Sequence, residues 1–160
     1  MQDAPEPAAA ARGAPPISGL VIACNEADRI GECLASMRPV CRQLVVLDSG
    51  STDGTVEIAR SLGAEVVSSH WRGYTAQRNH ALELAREPWV LFLDADERVS
   101  APLAQEIART FAGAPDGPRA FDGYDLPYRT RFLGEELRFG APGSEHHVRL
   151  FRQGLRFMER

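Results

Sequence analysis

The sequence contains no lysine, so all 18 of its positively charged residues are arginine. They are outnumbered by 22 acidic residues, and the formal net charge is -4. A protein that binds nucleic acid needs a positive field over its contact surface, so the composition argues against nucleic acid as a partner. The charge is uneven, however, because residues 129–160 carry 7 Arg against 4 Glu. This locally basic end would suit an anionic acceptor or a lipid surface.

Cysteine and long apolar segments are also scarce. The three cysteines form no CxxC pair, so the sequence predicts neither a disulfide framework nor a zinc site, and a reducing cytoplasm fits this usage. No apolar run approaches the roughly 20 residues that span a bilayer. Residues 1–17 are rich in Pro and Ala and carry acidic residues where a signal peptide needs positive charge. We therefore expect a disordered leader followed by one globular core.

Short apolar runs alternate with helical patterns over the next hundred residues. Ile30, Cys33, Leu34 and Met37 recur at the spacing of one apolar helix face, and Asn25 precedes them as the expected N-cap. Strands alternating with helices predict an α/β fold with a mostly parallel sheet, whose ligands bind at the carboxyl ends of strands. Extended segments near the end predict added antiparallel strands. The predicted strands are 18–24, 43–47, 64–68, 89–93, 124–133 and 148–151. Two helices are predicted for 55–62 and 75–86, and two more are predicted to begin after Asn25 and after Ser100.

Asp94 and Asp96 directly follow the apolar strand 89–93. Burying carboxylates is costly unless a cation or hydrogen bonds compensate them. In extended backbone, residues i and i+2 face the same side, so we expect the two side chains to point together. Mg²⁺ or Mn²⁺ is typically held by one or two carboxylates, with substrate phosphates and water as further ligands. The pair predicts a metal site suited to a sugar diphosphate, although a polar turn with Asp96 or Glu97 capping the next helix explains the same residues.

A second polar loop, residues 48–53, follows the strand predicted for 43–47. Its short side chains and glycine would let a ligand approach closely, and Asp48 could accept hydrogen bonds from a nucleotide base. We expect Asp53 to cap the following helix. An ordinary strand-to-helix turn uses the same residue types. Asn25 and Glu26 are likewise open to ligand binding or to capping.

Two further candidates lie outside these loops. Arg78, near a helix start, suits bidentate phosphate recognition, with a solvated surface charge as the alternative. Glu145 lies in a Gly- and Pro-rich loop, where it could take a proton from an acceptor hydroxyl unless the loop is merely surface. His146 and His147 are neighbours in an extended segment and should point to opposite faces, so we do not expect them to share one ion.

Five segments in a fixed order carry a resemblance to a known family. They are SGLVIACNEADRI, VVLDSGSTDGT, GYTAQRNHALELA, WVLFLDADE, and LGEELRFG with HHVRLFR. In this order, over roughly residues 18–157, the chain resembles family 2 glycosyltransferases, most of all the branch similar to lipopolysaccharide-core glucosyltransferases. The resemblance implies a GT-A fold, inverting transfer from a nucleotide diphosphate sugar, and Mg²⁺ or Mn²⁺. It also implies that residues 18–114 bind the nucleotide sugar and that 115–160 begin an acceptor-side subdomain, which family members continue well beyond the RLFR strand.

The resemblance also implies residue roles on the nucleotide side. It matches Asn25 and Glu26 to the family's first nucleotide-binding loop. Asp48 matches the aspartate that contacts the base, and Arg78 matches the arginine of an ARN-like segment. These four residues are therefore expected to bind the nucleotide sugar.

The remaining matches concern the metal and the reaction. Asp94 corresponds to the ribose-facing aspartate and Asp96 to the metal ligand. Glu145 falls at the acid of a GGWYPD-like stretch that serves as the base, although the aromatic pair is missing here and Glu replaces Asp.

The function implied is an inverting transfer from a donor, UDP-linked by resemblance, to a cell-envelope glycan or glycolipid such as lipopolysaccharide core. The expected location is the cytoplasm, with peripheral attraction of the basic end to the inner face of the inner membrane. Two alternatives stay open. One is a nucleotide-sugar-binding module without turnover, and the other is a polyprenyl-phosphate sugar synthase of the same superfamily.

Overall fold

The computed structural model describes residues 13–129, 131–132, 135–136 and 148–158. The first eight described elements alternate strand and helix, and the four that follow are strands. The helices are α1 (Ala27–Met37), α2 (Thr55–Ser61), α3 (Tyr74–Glu83) and α4 (Ala101–Phe111). The strands are β1 (Ile17–Ala23), β2 (Gln43–Asp48), β3 (Glu65–Ser68), β4 (Trp89–Asp94), β5 (Gly123–Asp125), β6 (Arg131–Phe132), β7 (Glu135–Glu136) and β8 (Val148–Arg152).

Six of these strands form one mixed sheet in the order β3-β2-β1-β4-β8-β5. The first four pair in parallel, as the alternation of strands and helices predicts. β8 lies antiparallel between β4 and β5, while β6 and β7 pair with each other. The predicted α/β class with antiparallel strands toward the end is confirmed.

Alternate residues of each central strand feed two cores on opposite faces of the sheet. Along β4, Trp89, Leu91 and Leu93 pack on one face with residues of α1, α2 and α4. Val90 and Phe92 pack on the other face with residues of α3. Because both faces are covered, the central strands are mostly apolar, as is usual in a parallel sheet, and their polar residues lie near the strand ends. The predicted stripe of α1 (Ile30, Cys33, Leu34, Met37) is fully buried.

Several predicted boundaries need correction. The extended segment predicted for 124–133 is interrupted, because β5 ends at Asp125 and residues 126–129 belong to no strand. Residues 14–17 are buried and β1 already begins at Ile17, so the packed part of the chain reaches into the leader predicted for residues 1–17. The helix predicted for 75–86 ends at Glu83. The N–H of Arg86 instead donates to Ser18 Oγ at 3.1 Å and Gln43 Oε1 at 2.9 Å, which carries the chain toward β4.

No helix among the described residues is both long enough and apolar enough to cross a bilayer.

Candidate functional site

Two of the aspartates predicted to bind the ligand, Asp48 and Asp94, lie at the same edge of the sheet. Asp48 is the last residue of β2 and pairs with Ala23. Asp94 is the last residue of β4 and pairs with Ile22. Because β1 lies between β2 and β4, the two backbones are two strand spacings apart, about 10 Å. A ligand lying across the carboxyl end of β1 would therefore reach both.

Asp48 is buried but only half satisfied. Its Oδ2 accepts from the backbone N–H groups of Gly50 at 3.0 Å and Ser51 at 3.1 Å. Gly50 has a φ of 93°, which favours glycine and lets the loop fold back onto the carboxylate. Oδ1 is buried without a hydrogen-bond partner in the described part of the chain. Such an oxygen is costly unless a ligand or water donates to it.

A glutamine that sequence reasoning missed holds this loop against α3. Gln77 is fully buried, and its Nε2 donates to Ser49 Oγ at 2.9 Å. Its Oε1 and the Nε of Arg78 are further buried polar atoms without a partner among the residues described. Buried polar atoms without a hydrogen-bond partner are rare in folded proteins. Two such atoms lie near the start of α3, so we expect a polar ligand or water to bind there.

Asn25 ties the loop after β1 to the loop after β2. Its N–H donates to Ser51 Oγ at 2.8 Å, and its Oδ1 accepts from the Thr52 N–H at 2.8 Å. The residue has a φ of 56°, which asparagine tolerates better than most residues. The prediction that Asn25 is the N-cap of α1 is wrong, because Glu26 occupies that position and its side chain makes no capping hydrogen bond.

The neighbouring residues complete this connection between the two loops. The Glu26 N–H donates to Thr55 Oγ1 at 2.8 Å. Asp53 Oδ2 accepts from the Ala27 N–H at 3.1 Å, while Oδ1 accepts from the Thr55 N–H at 3.0 Å. Asp53 thus bonds the first N–H of α2 and the first N–H of α1, but the N-cap position predicted for it in α2 is occupied by Gly54. Hydrogen bonding to Thr55 holds the pKa of this carboxyl below its usual value.

Asp94 accepts from two arginines. Arg78 NH2 lies 3.1 Å from Oδ1, and Arg149 NH2 lies 2.9 Å from Oδ2. Burial disfavours the charged carboxylate, but the two guanidinium groups outweigh it and hold the pKa of Asp94 below its usual value. The Arg78 guanidinium carbon also lies 5.8 Å from the ring centroid of Phe92 and 5.5 Å from that of Phe157. Arg78 is therefore a fixed partner of Asp94 and not a solvated surface charge.

Glu97 and Tyr128 extend this network. Glu97 Oε2 accepts from the Asp94 N–H at 2.8 Å, and Oε1 accepts from Arg149 NH2 at 2.7 Å. Arg149 Nε donates to the Tyr128 hydroxyl. Burial raises the pKa of Tyr128 to about 12, so the phenol stays neutral. These roles of Glu97 and Arg149 were not predicted from the sequence.

The backbone turns at Ala95 and Asp96, and it is not extended there. The Glu97 N–H donates to the Asp94 carbonyl at 2.9 Å, which closes a four-residue turn. The expectation that Asp94 and Asp96 point together rested on extended geometry and is therefore wrong. Asp94 is held by arginines, whereas Asp96 is exposed. The caps predicted for Asp96 or Glu97 are also absent, since Ser100 Oγ accepts from the Leu103 N–H at the start of α4.

The donor set around this turn bears on the metal prediction. Among the residues that the structure describes, no three His, Cys, Asp or Glu side chains converge as a metal cage. Asp94 and Glu97 are paired with arginines, and Asp96 makes no side-chain hydrogen bond or ion pair within the described chain. One exposed carboxylate fits a Mg²⁺ or Mn²⁺ ion that takes its other ligands from phosphate and water.

The predicted base cannot be placed in this arrangement. Glu145, His146 and His147 lie outside the described residues. The prediction for Glu145 therefore stays a prediction.

Comparisons with known proteins add a family context to this geometry. The model of the family described as Glycosyl transferase family 2 matches residues 18–139. An uncharacterized glycosyltransferase of Rickettsia bellii is 44% identical over 96 residues, which is 60% of this chain and 33% of the relative. The lipopolysaccharide core biosynthesis glycosyltransferase LpsC of Rhizobium meliloti is 30% identical over 144 residues, covering 87% of this chain and 52% of LpsC. The chain thus spans a third to a half of the length of these relatives.

Solved structures show the same architecture. Glucosyl-3-phosphoglycerate synthase from Mycobacterium tuberculosis, in complex with UDP, matches with a TM-score of 0.56 and 28% identity over 72% of this chain and 45% of that one. TarS 1-349 of S. aureus, in complex with UDP, matches with a TM-score of 0.51 and 27% identity over 59% and 31% of the two chains.

Proposed function

The chain belongs to glycosyl transferase family 2 and has the GT-A fold, and we propose that it binds a UDP-linked sugar at the carboxyl edge of its sheet. The observation that carries the proposal is the buried Asp48 Oδ1 without a partner at that edge. The imide N–H of uracil is a donor of the kind this oxygen lacks. Similar solved structures with UDP bound support the choice of nucleotide.

The remaining nucleotide contacts follow from the order of residues along the edge. With the base at Asp48, the ribose extends across the end of β1 toward Asp94, whose ionised carboxylate can accept hydrogen bonds from ribose hydroxyls. Arg78 lies beside Asp94 with a side chain that is 26% exposed, and its guanidinium can donate to phosphate oxygens. Asn25 and Glu26 hold the loop after β1 against the Asp48 loop and form the wall of the base pocket.

Asp96 would hold Mg²⁺ or Mn²⁺ together with oxygens of the donor diphosphate. The ion supplies positive charge that stabilises the leaving diphosphate. The protein's own part is to present an exposed carboxylate on the turn from Asp94 to Glu97, while Arg78 contributes a second positive charge nearby. The diphosphate would then meet two positive charges, that of the ion and that of Arg78.

We further propose that the whole protein transfers the sugar with inversion to a glycan or glycolipid acceptor of the cell envelope, such as lipopolysaccharide core. The name of the relative LpsC supports this acceptor class. Glu145 is the proposed base that takes the acceptor hydroxyl proton. The excess of Arg in residues 129–160 suits an anionic acceptor at the cytoplasmic face of a membrane.

A panel of nucleotides in thermal unfolding tests donor binding. A ligand at 100 times its Kd stabilises the folded state by about 2.7 kcal/mol, so UDP should raise Tm and GDP, ADP and CMP should not. A panel without any response would overturn the proposal. Incubation with UDP-sugars and acceptors then separates an enzyme from a binding module without turnover, since the module would neither transfer nor hydrolyse the sugar. Transfer to a polyprenyl phosphate would identify the third candidate function.

A further inference from the structure

We propose that Arg149 is a positioning residue of the donor site, which fixes the Asp94 carboxylate and the turn that presents Asp96. The inference rests on the proposed function, because it concerns how the same site is held in shape. It assigns a role in donor binding to β8, a strand that follows the nucleotide-binding elements along the chain.

Arg149 contacts Asp94, Glu97 and Tyr128 at once, and we call this arrangement the clamp. The side chain is only 11% exposed, and NH2 bridges two carboxylates, with Asp94 Oδ2 at 2.9 Å and Glu97 Oε1 at 2.7 Å. Nε donates to the Tyr128 hydroxyl, and the guanidinium carbon lies 5.7 Å from the Tyr128 ring centroid. Glu97 in turn accepts from the Asp94 N–H. The carboxylate and the backbone of Asp94 are therefore both fixed through one arginine.

The two arginines at Asp94 differ in a way that separates their roles. Arg78 has a side chain that is 26% exposed and donates to Asp94 through NH2 alone, so the exposed part of its guanidinium can still donate to a ligand. Arg149 is more deeply buried and already donates through NH2 and Nε to protein groups. Arg78 thus suits direct ligand contact, whereas Arg149 suits an action through Asp94.

Arg149 also compensates the negative charge of two neighbouring carboxylates. Asp94 and Glu97 contribute two negative charges within reach of the same guanidinium nitrogen. Without Arg149 the two carboxylates repel each other across a half-buried space, and only Arg78 remains to compensate them. Asp94 would then leave its position, and the turn from Asp94 to Glu97 would lose the contact that restrains it.

A double-mutant cycle on UDP binding tests this role. Calorimetric titrations with saturating Mn²⁺ compare the wild type, Arg149→Met, Asp94→Asn and the double variant. We expect Arg149→Met to weaken UDP binding roughly tenfold, and to add little once Asp94→Asn has removed the group through which it acts. Arg149→Lys, which keeps the charge, should recover part of the loss. Arg152→Met is the matched control on the same strand, since Arg152 packs on Trp89 and does not contact Asp94.

The outcomes separate this inference from the proposed function. A wild type that does not bind UDP overturns both. A wild type that binds UDP, with Arg149→Met binding equally well or losing the same factor with and without Asp94→Asn, overturns the positioning role alone. If Arg149→Met does not fold, the same cycle is run with Arg149→Lys. Should the Asp94→Asn proteins bind too weakly to titrate, equal losses in Arg149→Lys and Arg149→Met would contradict the inference.

Discussion

Asp48 and Asp94 end the two strands that flank β1, in register with Ala23 and Ile22 respectively. One carboxylate retains a buried oxygen without a partner in the described chain, and the other is paired with two arginines. The two aspartates at this edge of the sheet therefore differ in their hydrogen bonding. The first lacks a donor at this oxygen, whereas the second is an oriented carboxylate whose pKa is held below its usual value by the two guanidinium groups. This difference suits the proposed nucleotide, whose base can donate to Asp48 and whose ribose hydroxyls can donate to Asp94.

Asp48→Asn should weaken UDP binding by at least about tenfold, because a hydrogen bond to a charged group contributes about 1.5–3 kcal/mol. The amide oxygen can still accept from the Gly50 and Ser51 N–H groups, so the loop should keep its shape. Calorimetric titration measures the change. Asp116→Asn, at an exposed aspartate beyond α4, is the control; equal UDP affinity in the two variants would remove Asp48 from the site.

Asp96→Asn should abolish the tightening of UDP binding by Mn²⁺ and leave metal-free binding unchanged. The reason is that Asp96 is the exposed carboxylate of the turn, while Asp94 and Glu97 are paired with Arg149. Titrations with and without Mn²⁺ provide the comparison. Glu106→Gln, at an exposed position of α4, controls for loss of surface charge. A metal effect that survives Asp96→Asn would assign the ion to another ligand.

Arg78→Met should weaken UDP binding more than uridine binding, because the lost guanidinium faces the phosphates. The methionine stem can keep the packing against Phe92 and Phe157, and Arg149 still holds Asp94. The ratio of the two Kd values is the measurement. Arg86→Met removes an exposed arginine paired with Glu65 and should leave the ratio unchanged. Equal losses for the two ligands would limit Arg78 to the ribose side.

Glu145→Gln should abolish sugar transfer and spare donor binding, because a base acts on the acceptor hydroxyl and not on the nucleotide. Product formation and UDP affinity are measured on the same preparation, with Glu135→Gln as the comparison. A parallel loss of transfer and UDP binding would assign Glu145 a structural role.

Ser18→Ala should lower the free energy of unfolding by about 1–3 kcal/mol and leave UDP affinity unchanged. Ser18 is fully buried at the amino end of the sheet. Its Oγ donates to Gln43 Oε1 at 2.6 Å and accepts from the Glu87 N–H at 3.0 Å. Denaturant unfolding measures the loss, and Ser61→Ala, on the exposed side of α2, should cost much less. A loss of UDP affinity in folded Ser18→Ala protein would contradict the separation of this hydrogen-bond cluster from the donor site.

Local patterns predicted most of the fold. Apolar residues recur along α1 at helical spacing, and they are continuous along strands such as β4. These local patterns indicate which faces of each element are buried. The placement of Asp48 and Asp94 at one edge also followed from parallel pairing, because every parallel strand ends on the same side.

The clamp on Asp94 was not predictable in this way. Arg149 is 55 residues away from Asp94 along the chain and reaches it because β8 pairs antiparallel with β4. The turn at Ala95 and Asp96 was missed for a related reason. The Glu97 side chain folds back onto the Asp94 N–H and is held there by Arg149, so a long-range contact accompanies the local turn.

A crystal structure with UDP and Mn²⁺ tests the central claim most directly. We expect the uracil beside Asp48 Oδ1, the ribose at Asp94, and the diphosphate between Arg78 and a metal ion bound to Asp96. UDP bound elsewhere, or bound at this edge with Asp48 Oδ1 still without a donor, would contradict the account.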